Sequence, residues 1–147
     1  MTTSKTHVAL RVKDLNQSIA FYQTLFDIKP VKHKVDYAKF DVENPGLNLT
    51  LNVGGNGHER GSLSHLGIQV DSAEAVEAAI ERFQAAGLTT FAEKDTDCCY
   101  ALQDKVWVTD PDNNRWEIFV VKVADTSPEA NVSASGAPAQ VQSTCCS

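Results

Sequence analysis

The chain lacks any apolar run near the roughly 20 residues needed to cross a bilayer, and it lacks a basic patch. Its 13 Lys and Arg are outnumbered by 19 Asp and Glu, for a net charge of -6. A chain so charged is not built to neutralise phosphates, so neither nucleic acid nor a membrane is the expected partner. Cysteine is scarce, with four in 147 residues, set as two adjacent pairs: Cys98 with Cys99 and Cys145 with Cys146. Neighbouring cysteines do not close a relaxed disulfide, because the ring would force the intervening peptide from planarity. No disulfide framework follows from them, and a reducing cytoplasm is the expected location. The opening MTTSKTHVALRV enters a strand pattern almost at once and does not read as a signal peptide. Hydrophobic residues at 42% and charged residues at 22% describe an ordinary globular domain, long enough to bury a real core.

What the chain does have is a weak duplication. HVALRVKD from His7 matches HLGIQVDS from His65, and an amphipathic helix follows each. Val8, Leu10 and Val12 alternate in the first strand, Leu66, Ile68 and Val70 in the second, so these residues should face the helices. His7, Ala9 and Arg11, with His65, Gly67 and Gln69, then point the other way. The first helix is expected from Asp14 to about Phe26, with Gln17 at the capping-box position and Leu15, Ile19, Tyr22 and Phe26 as its apolar stripe. The second is expected from Ser72, with Val76, Ala79, Ile80 and Phe83 on one face and Gly87 as its stop. Three strand-like stretches follow each helix: PVKHK, YAKFDVE and LNLTLNV, then TTFAEK, KVWVTD and, past the turn DPDNN, RWEIFVV. The fold class is therefore α+β, two βαβββ modules at about 5–54 and 63–123 joined through GGNGHERGS. They make one domain over 1–124. Residues 125–147, rich in Ser, Ala and Pro, read as a flexible tail ending in the second cysteine pair.

The duplication sets His7 and His65 at equivalent points on the opening strands of the two halves. Pairing of the halves about a pseudo-twofold axis should bring the two imidazoles together. The closing strand turns Glu117 to the same inner side, where a carboxylate is costly unless it is paired or holds a cation. Two histidines and one carboxylate suit non-haem Fe(II) with positions left open for dioxygen and substrate. Each residue also has a plainer reading, His7 as a satisfied polar side chain and Glu117 as a surface residue on a strand read in the wrong register. His33 and His58 are assigned to solvent. The adjacent thiols Cys98 and Cys99 suit the holding of one soft atom between two sulfurs, or are two loop thiols with no special task. Tyr100, Lys105 and Trp107 follow closely and could line a pocket, although the aromatic rings fit packing equally well and Lys105 fits solvation.

The paired modules, with HVALRVKDLNQSIAFYQTLF, HLGIQV and TDPDNNRWEIF, resemble the vicinal oxygen chelate superfamily of glyoxalases, extradiol dioxygenases and bleomycin- or fosfomycin-resistance proteins. The likeness covers about residues 5 to 123 and implies a half-barrel with a central metal cavity. The string DTDCCYALQDKVWVTDP, with the terminal cysteine pair, resembles the arsenic-inducible carbon–arsenic lyases, whose relatives include cadmium-induced proteins. That resemblance implies Fe(II) on His7, His65 and Glu117, dioxygen as co-substrate, and Cys98 and Cys99 as the thiols that hold trivalent arsenic. It also implies small-molecule organoarsenical substrates, methyl or aromatic, and release of arsenite. A glyoxalase would need a fourth ligand from LNLTLNV, but the inner positions there are Asn48, Thr50 and Asn52. Cys145 and Cys146 are open between capture of arsenicals, incidental metal binding and no role. Two other readings stand beside the lyase: a non-catalytic cadmium- or arsenite-binding resistance protein, and another superfamily enzyme such as a ring-cleaving dioxygenase. Either a monomer or a homodimer is compatible with the sequence.

Overall fold

The computed structural model describes residues 5–54, 63, 65–98 and 101–130. The first module runs β1 (Thr6–Val12), α1 (Leu15–Phe26), β2 (Lys32–His33), β3 (Tyr37–Val42) and β4 (Leu47–Val53). The second runs β5 (Leu66–Val70), α2 (Ala73–Ala85), β6 (Phe91–Cys98), β7 (Ala101–Thr109) and β8 (Arg115–Val123). Each forms a four-stranded sheet of the same topology, β1-β4-β3-β2 and β5-β8-β7-β6. In each sheet the opening strand lies parallel to the closing one. The α+β duplication expected from the sequence is the architecture observed.

Local chemistry sets the helix ends. The Asp14 carboxylate accepts from the Gln17 amide at 3.0 Å, and the Ser72 hydroxyl accepts from the Ala75 amide at 3.1 Å. Each satisfies a donor that the first helical turn leaves orphaned. Helix α2 ends with Leu88 N–H donating to Phe83 and Gly87 N–H donating to Gln84, with Gly87 at φ +78°. This is a Schellman stop, and glycine is the residue that takes its left-handed turn without strain.

Helix α1 packs on β3 and β4, α2 packs on β7 and β8, and the helices touch each other. Tyr22 and Phe26 of α1 meet Trp116 of β8 edge to face, with centroids 5.9 and 5.8 Å apart. The helix-facing sides of both sheets therefore share one hydrophobic core, including Phe40, Leu49 and Leu51 from the first sheet and Val106, Trp116 and Ile118 from the second. The buried Tyr22 hydroxyl donates to Asp110 and accepts from the Trp116 indole at 3.2 Å. Burial, reinforced by the Asp110 carboxylate, pushes the Tyr22 phenol well above its ordinary pKa, so it stays a donor. Asp110 also accepts from the Asp112 and Asn114 amides at 2.9 and 2.7 Å, which folds the TDPDNN turn onto α1.

Two boundaries differ from the sequence reading. Strand β6 runs on through Cys98 rather than ending near Lys94, and β7 begins at Ala101, with Cys98 paired to Ala101. The added stretch is polar because it is exposed, and it holds as strand through a bulge at Asp95, φ +48°. The Asp95 amide donates to Asp104 at 2.8 Å, and Lys122 bridges Asp95 and Asp104. Second, the segment expected as tail from Asp125 starts docked on this strand. Thr126 donates to Asp97 at 2.9 Å, and a single 3-10 turn spans Pro128–Ala130. Residues 131–147, with Cys145 and Cys146, lie outside the described residues, as does His58. Among the described residues no helix is long and apolar enough to cross a membrane.

Candidate metal centre

Glu117 lies on the face of β8 turned from the helices, and the cross-strand register sets it beside Gly67 of β5 and Trp107 of β7. It is buried, at 7% exposure. One carboxylate oxygen, Oε2, accepts from the Lys105 ammonium at 3.0 Å, and the other, Oε1, lies 3.7 Å from His65 Nε2. His65 stands edge-on to Trp107, centroids 5.1 Å apart. Lys105 is 1% exposed, so the solvated reading of it is corrected. Its ammonium is boxed by the Trp107 and Phe119 rings, 5.4 and 5.8 Å from their centroids. Buried charge is tolerated here because each ion has its counter-ion and the cation has two aromatic faces. Arg115 covers the other part of Trp107, its guanidinium carbon 4.3 Å from the ring centroid.

His7 is exposed on β1, where its Nδ1 donates to the Asn48 carbonyl at 3.2 Å. That bond fixes the tautomer whose Nε2 carries the free lone pair, the form suited to a metal. The two halves do not bring His7 to His65 and Glu117 within one chain. Among the described residues no three His, Cys, Asp or Glu side chains gather into a metal-sized cluster. The physical reason is the shared core: both modules bury their helix sides against each other, so the faces carrying His7 and His65 turn away from that core. The sequence pattern fixed which face each imidazole takes, but not how the halves pack.

The register also settles what stands opposite Glu117 in the duplication. Ala9 pairs with Thr50 in the first sheet where Gly67 pairs with Glu117 in the second. Thr50 thus holds the position of a second carboxylate, as expected from the sequence. His33 is exposed on β2. Cys98 closes β6, while Cys99 and Tyr100 lie outside the described residues. Ala101, opposite Cys98, is six residues along β7 from Trp107, about 20 Å at strand rise. Cys98 therefore closes β6 at the far end of the sheet from His65. Sequence reasoning missed the roles of Gly67, Phe119, Arg115 and Glu93, the last directly opposite Lys105 with a buried Oε2 that has no hydrogen-bond partner among the described residues. A glycine inside a strand was the available signal for the first.

Two modules of the same βαβββ topology, packed through their helices, define a duplicated α+β fold. The chain belongs to the Glyoxalase/Bleomycin resistance protein/Dioxygenase superfamily, which matches residues 6–118. It is 47% identical to the trivalent organoarsenical cleaving enzyme of Bacillus sp. (strain MD1), over 96% of this chain and 89% of that one. It is 46% identical to the enzyme of the same name from Thermomonospora curvata, covering 92% and 89%. It is also 46% identical to a cadmium-induced protein of Mycobacterium tuberculosis, covering 80% and 76%. Among solved structures it resembles the genomically encoded fosfomycin resistance protein of Listeria monocytogenes, with TM-score 0.63 and 26% identity over 82% of this chain and 94% of that one.

Proposed function

We propose that the chain cleaves the carbon–arsenic bond of trivalent organoarsenicals, methyl or aromatic, and releases arsenite, with Fe(II) as resident metal and dioxygen as co-substrate. The observation that carries this reading is the convergence of His65 and buried Glu117 on a sheet whose outer hairpin bears vicinal thiols. Near-half identity to enzymes named for organoarsenical cleavage supports it. The donor set fits Fe(II): imidazole and carboxylate, with Thr50 where a second carboxylate would stand, leaves positions open. When bound, that metal supplies dioxygen activation, which no side chain here provides.

The chain's own residues do the rest. Each of Cys98 and Cys99 exchanges with an As–OH group: an S–As bond forms, the hydroxide leaves, and the thiol proton goes with it as water. Two sulfurs hold the arsenic and leave its carbon substituent projecting. Half-buried Phe119 gives an apolar surface against which a methyl or aryl group sheds water. For this reading the end of the hairpin has to carry the arsenical over the Trp107–Glu117 row. His7 completes the ligand set from a second copy of the chain, since within one copy it faces away from the shared core. A reducing cytoplasm keeps the vicinal thiols in their reactive form.

The test is anaerobically iron-loaded full-length protein given methylarsenite and then air, with arsenic speciation followed over time. Arsenite should accumulate with Fe(II) and air, and not with Zn(II), which cannot change redox state. Methylarsenite that stays bound and intact supports instead a cadmium- or arsenite-binding resistance protein, the reading favoured by the cadmium-induced relative.

A further inference from the structure

Glu117 is held from two sides, across the ladder by Gly67 and along the sheet by Lys105. Gly67 lies directly across the β5–β8 pairing, and a Cβ added there would stand 2.8 Å from Glu117 Cγ and 3.3 Å from its Oε1. Neither atom is free to yield, because Oε2 is bonded to Lys105 and Oε1 is turned to His65. The first half of the duplication supplies an internal control. There the equivalent pair is Ala9 with Thr50, so a Cβ is accepted where the neighbour across the ladder is short. Glycine replaces alanine in the half where a long carboxylate must cross the strand. Lys105, for its part, cannot swing away, being 1% exposed between the Trp107 and Phe119 rings.

We infer that Gly67 and Lys105 are positioning residues that make Glu117 present a single carboxylate oxygen, Oε1, to the metal. This rests on the reading that His65 and Glu117 hold a divalent cation. Gly67 clears the path that brings the carboxylate against His65. Lys105 occupies Oε2, so the carboxylate cannot chelate through both oxygens and a coordination position stays open for an exogenous ligand. The ammonium also competes with the cation for Glu117, so the two residues act on metal affinity with opposite signs. Gly67 favours binding, and Lys105 opposes it while keeping a position open.

The probe is Mn(II) alone, titrated into full-length protein and read by water-proton relaxation, which reports both affinity and the number of exchangeable bound waters. Gly67→Ala should weaken Mn(II) binding roughly 10- to 100-fold with the circular dichroism of the parent. Lys105→Met should bind Mn(II) several-fold tighter and with one bound water fewer, a change that a merely structural role would not produce. Should Lys105→Met fail to fold, the Gly67 variant decides. Glu117→Gln separates this inference from the reading beneath it. If that variant binds Mn(II) like the parent, the metal site is wrong and the inference falls with it. If Glu117→Gln loses Mn(II) but Gly67→Ala binds it as the parent does, the inference alone is overturned. So too if Lys105→Met keeps parental affinity and hydration, or binds more weakly at parental hydration.

Discussion

Replacing the sulfur of Cys98 or Cys99 by oxygen changes ligand softness while leaving side-chain size nearly the same. Cys98→Ser and Cys99→Ser should each lose methylarsenite binding, because one remaining thiol makes a single exchangeable bond instead of a chelate. Metal affinity should stay at the parental value, since Cys98 lies at the other end of the sheet from His65 and Glu117, the proposed ligands. Separate titrations with methylarsenite and with Fe(II) under anaerobic conditions check both halves of the claim. Parental turnover in both variants would sink the clamp. His65→Ala should do the opposite, keeping arsenical binding while losing Fe(II) by at least about tenfold. At this scale strand alternation was enough to read which face His65 and Glu117 take, because a side chain's face depends only on its own strand. The roles of Gly67, placed on the inner face, and of Lys105, offered as a pocket residue, were not legible for the converse reason. Gly67 takes its meaning from Glu117 directly across the ladder and Lys105 from Glu117 diagonally across it, and cross-strand register is not written in either strand alone.

The hairpin of β6 and β7 is held at its base by charge. Burial pushes the Asp104 carboxyl upward, but the Asp95 amide and the Lys122 ammonium outweigh it and leave the pKa below the ordinary 3.8. A carboxyl depressed in the folded state stabilises above its unfolded pKa, and that contribution is lost as pH falls through the lower folded value. Asp104→Asn should therefore lower stability at neutral pH by about 1 kcal/mol. The gap between parent and variant should close as pH drops below 3.8. Thermal unfolding of both proteins from neutral to acid pH measures it, and a constant gap across that range would show that Asp104 acts by packing alone. Lys122 is shifted upward by the same partners, Asp95 first, so its share persists until pH rises above 10.5. The helices were readable to the residue at their caps because Asp14 and Ser72 act locally. The strand ends at Cys98 and Ala101 were not, since the polar end of β6 carries no apolar alternation and is kept by ladder bonds and a distant lysine.

The two modules meet through a hydrogen-bonded knot and a common core, and this packing decides whether the metal site can close within one chain. Tyr22→Phe removes the hydroxyl shared by Asp110 and Trp116, leaving the buried indole N–H without that acceptor while Asp110 Oδ2 keeps the Asn114 amide, at a cost of about 1–3 kcal/mol. Chemical denaturation with an unchanged m-value would place that loss in the native state rather than in a looser ensemble. The duplication itself was visible in HVALRV and HLGIQV. How the halves pack was not, because both helix stripes and both sheet faces allow more than one pairing. In the observed packing His7 does not join His65 and Glu117 in a three-ligand group among the described residues, so the ligand set proposed above needs a second copy. A mixing experiment tests this directly. His7→Ala and Glu117→Gln should each be inactive when pure, since every site in either dimer lacks one ligand. Mixed and allowed to exchange, they form a heterodimer in which His7 of the Glu117→Gln chain meets His65 and Glu117 of the His7→Ala chain. That site carries every parental ligand, while the second site carries both defects. Random assortment of equal amounts makes half the dimers mixed, each with one good site, so activity should recover to about one quarter of the parent in a symmetric dimer. Recovery should fail when either variant is paired with itself or when exchange is blocked by crosslinking beforehand. A mixture as inactive as its components would place all three ligands in one chain and refute the shared site.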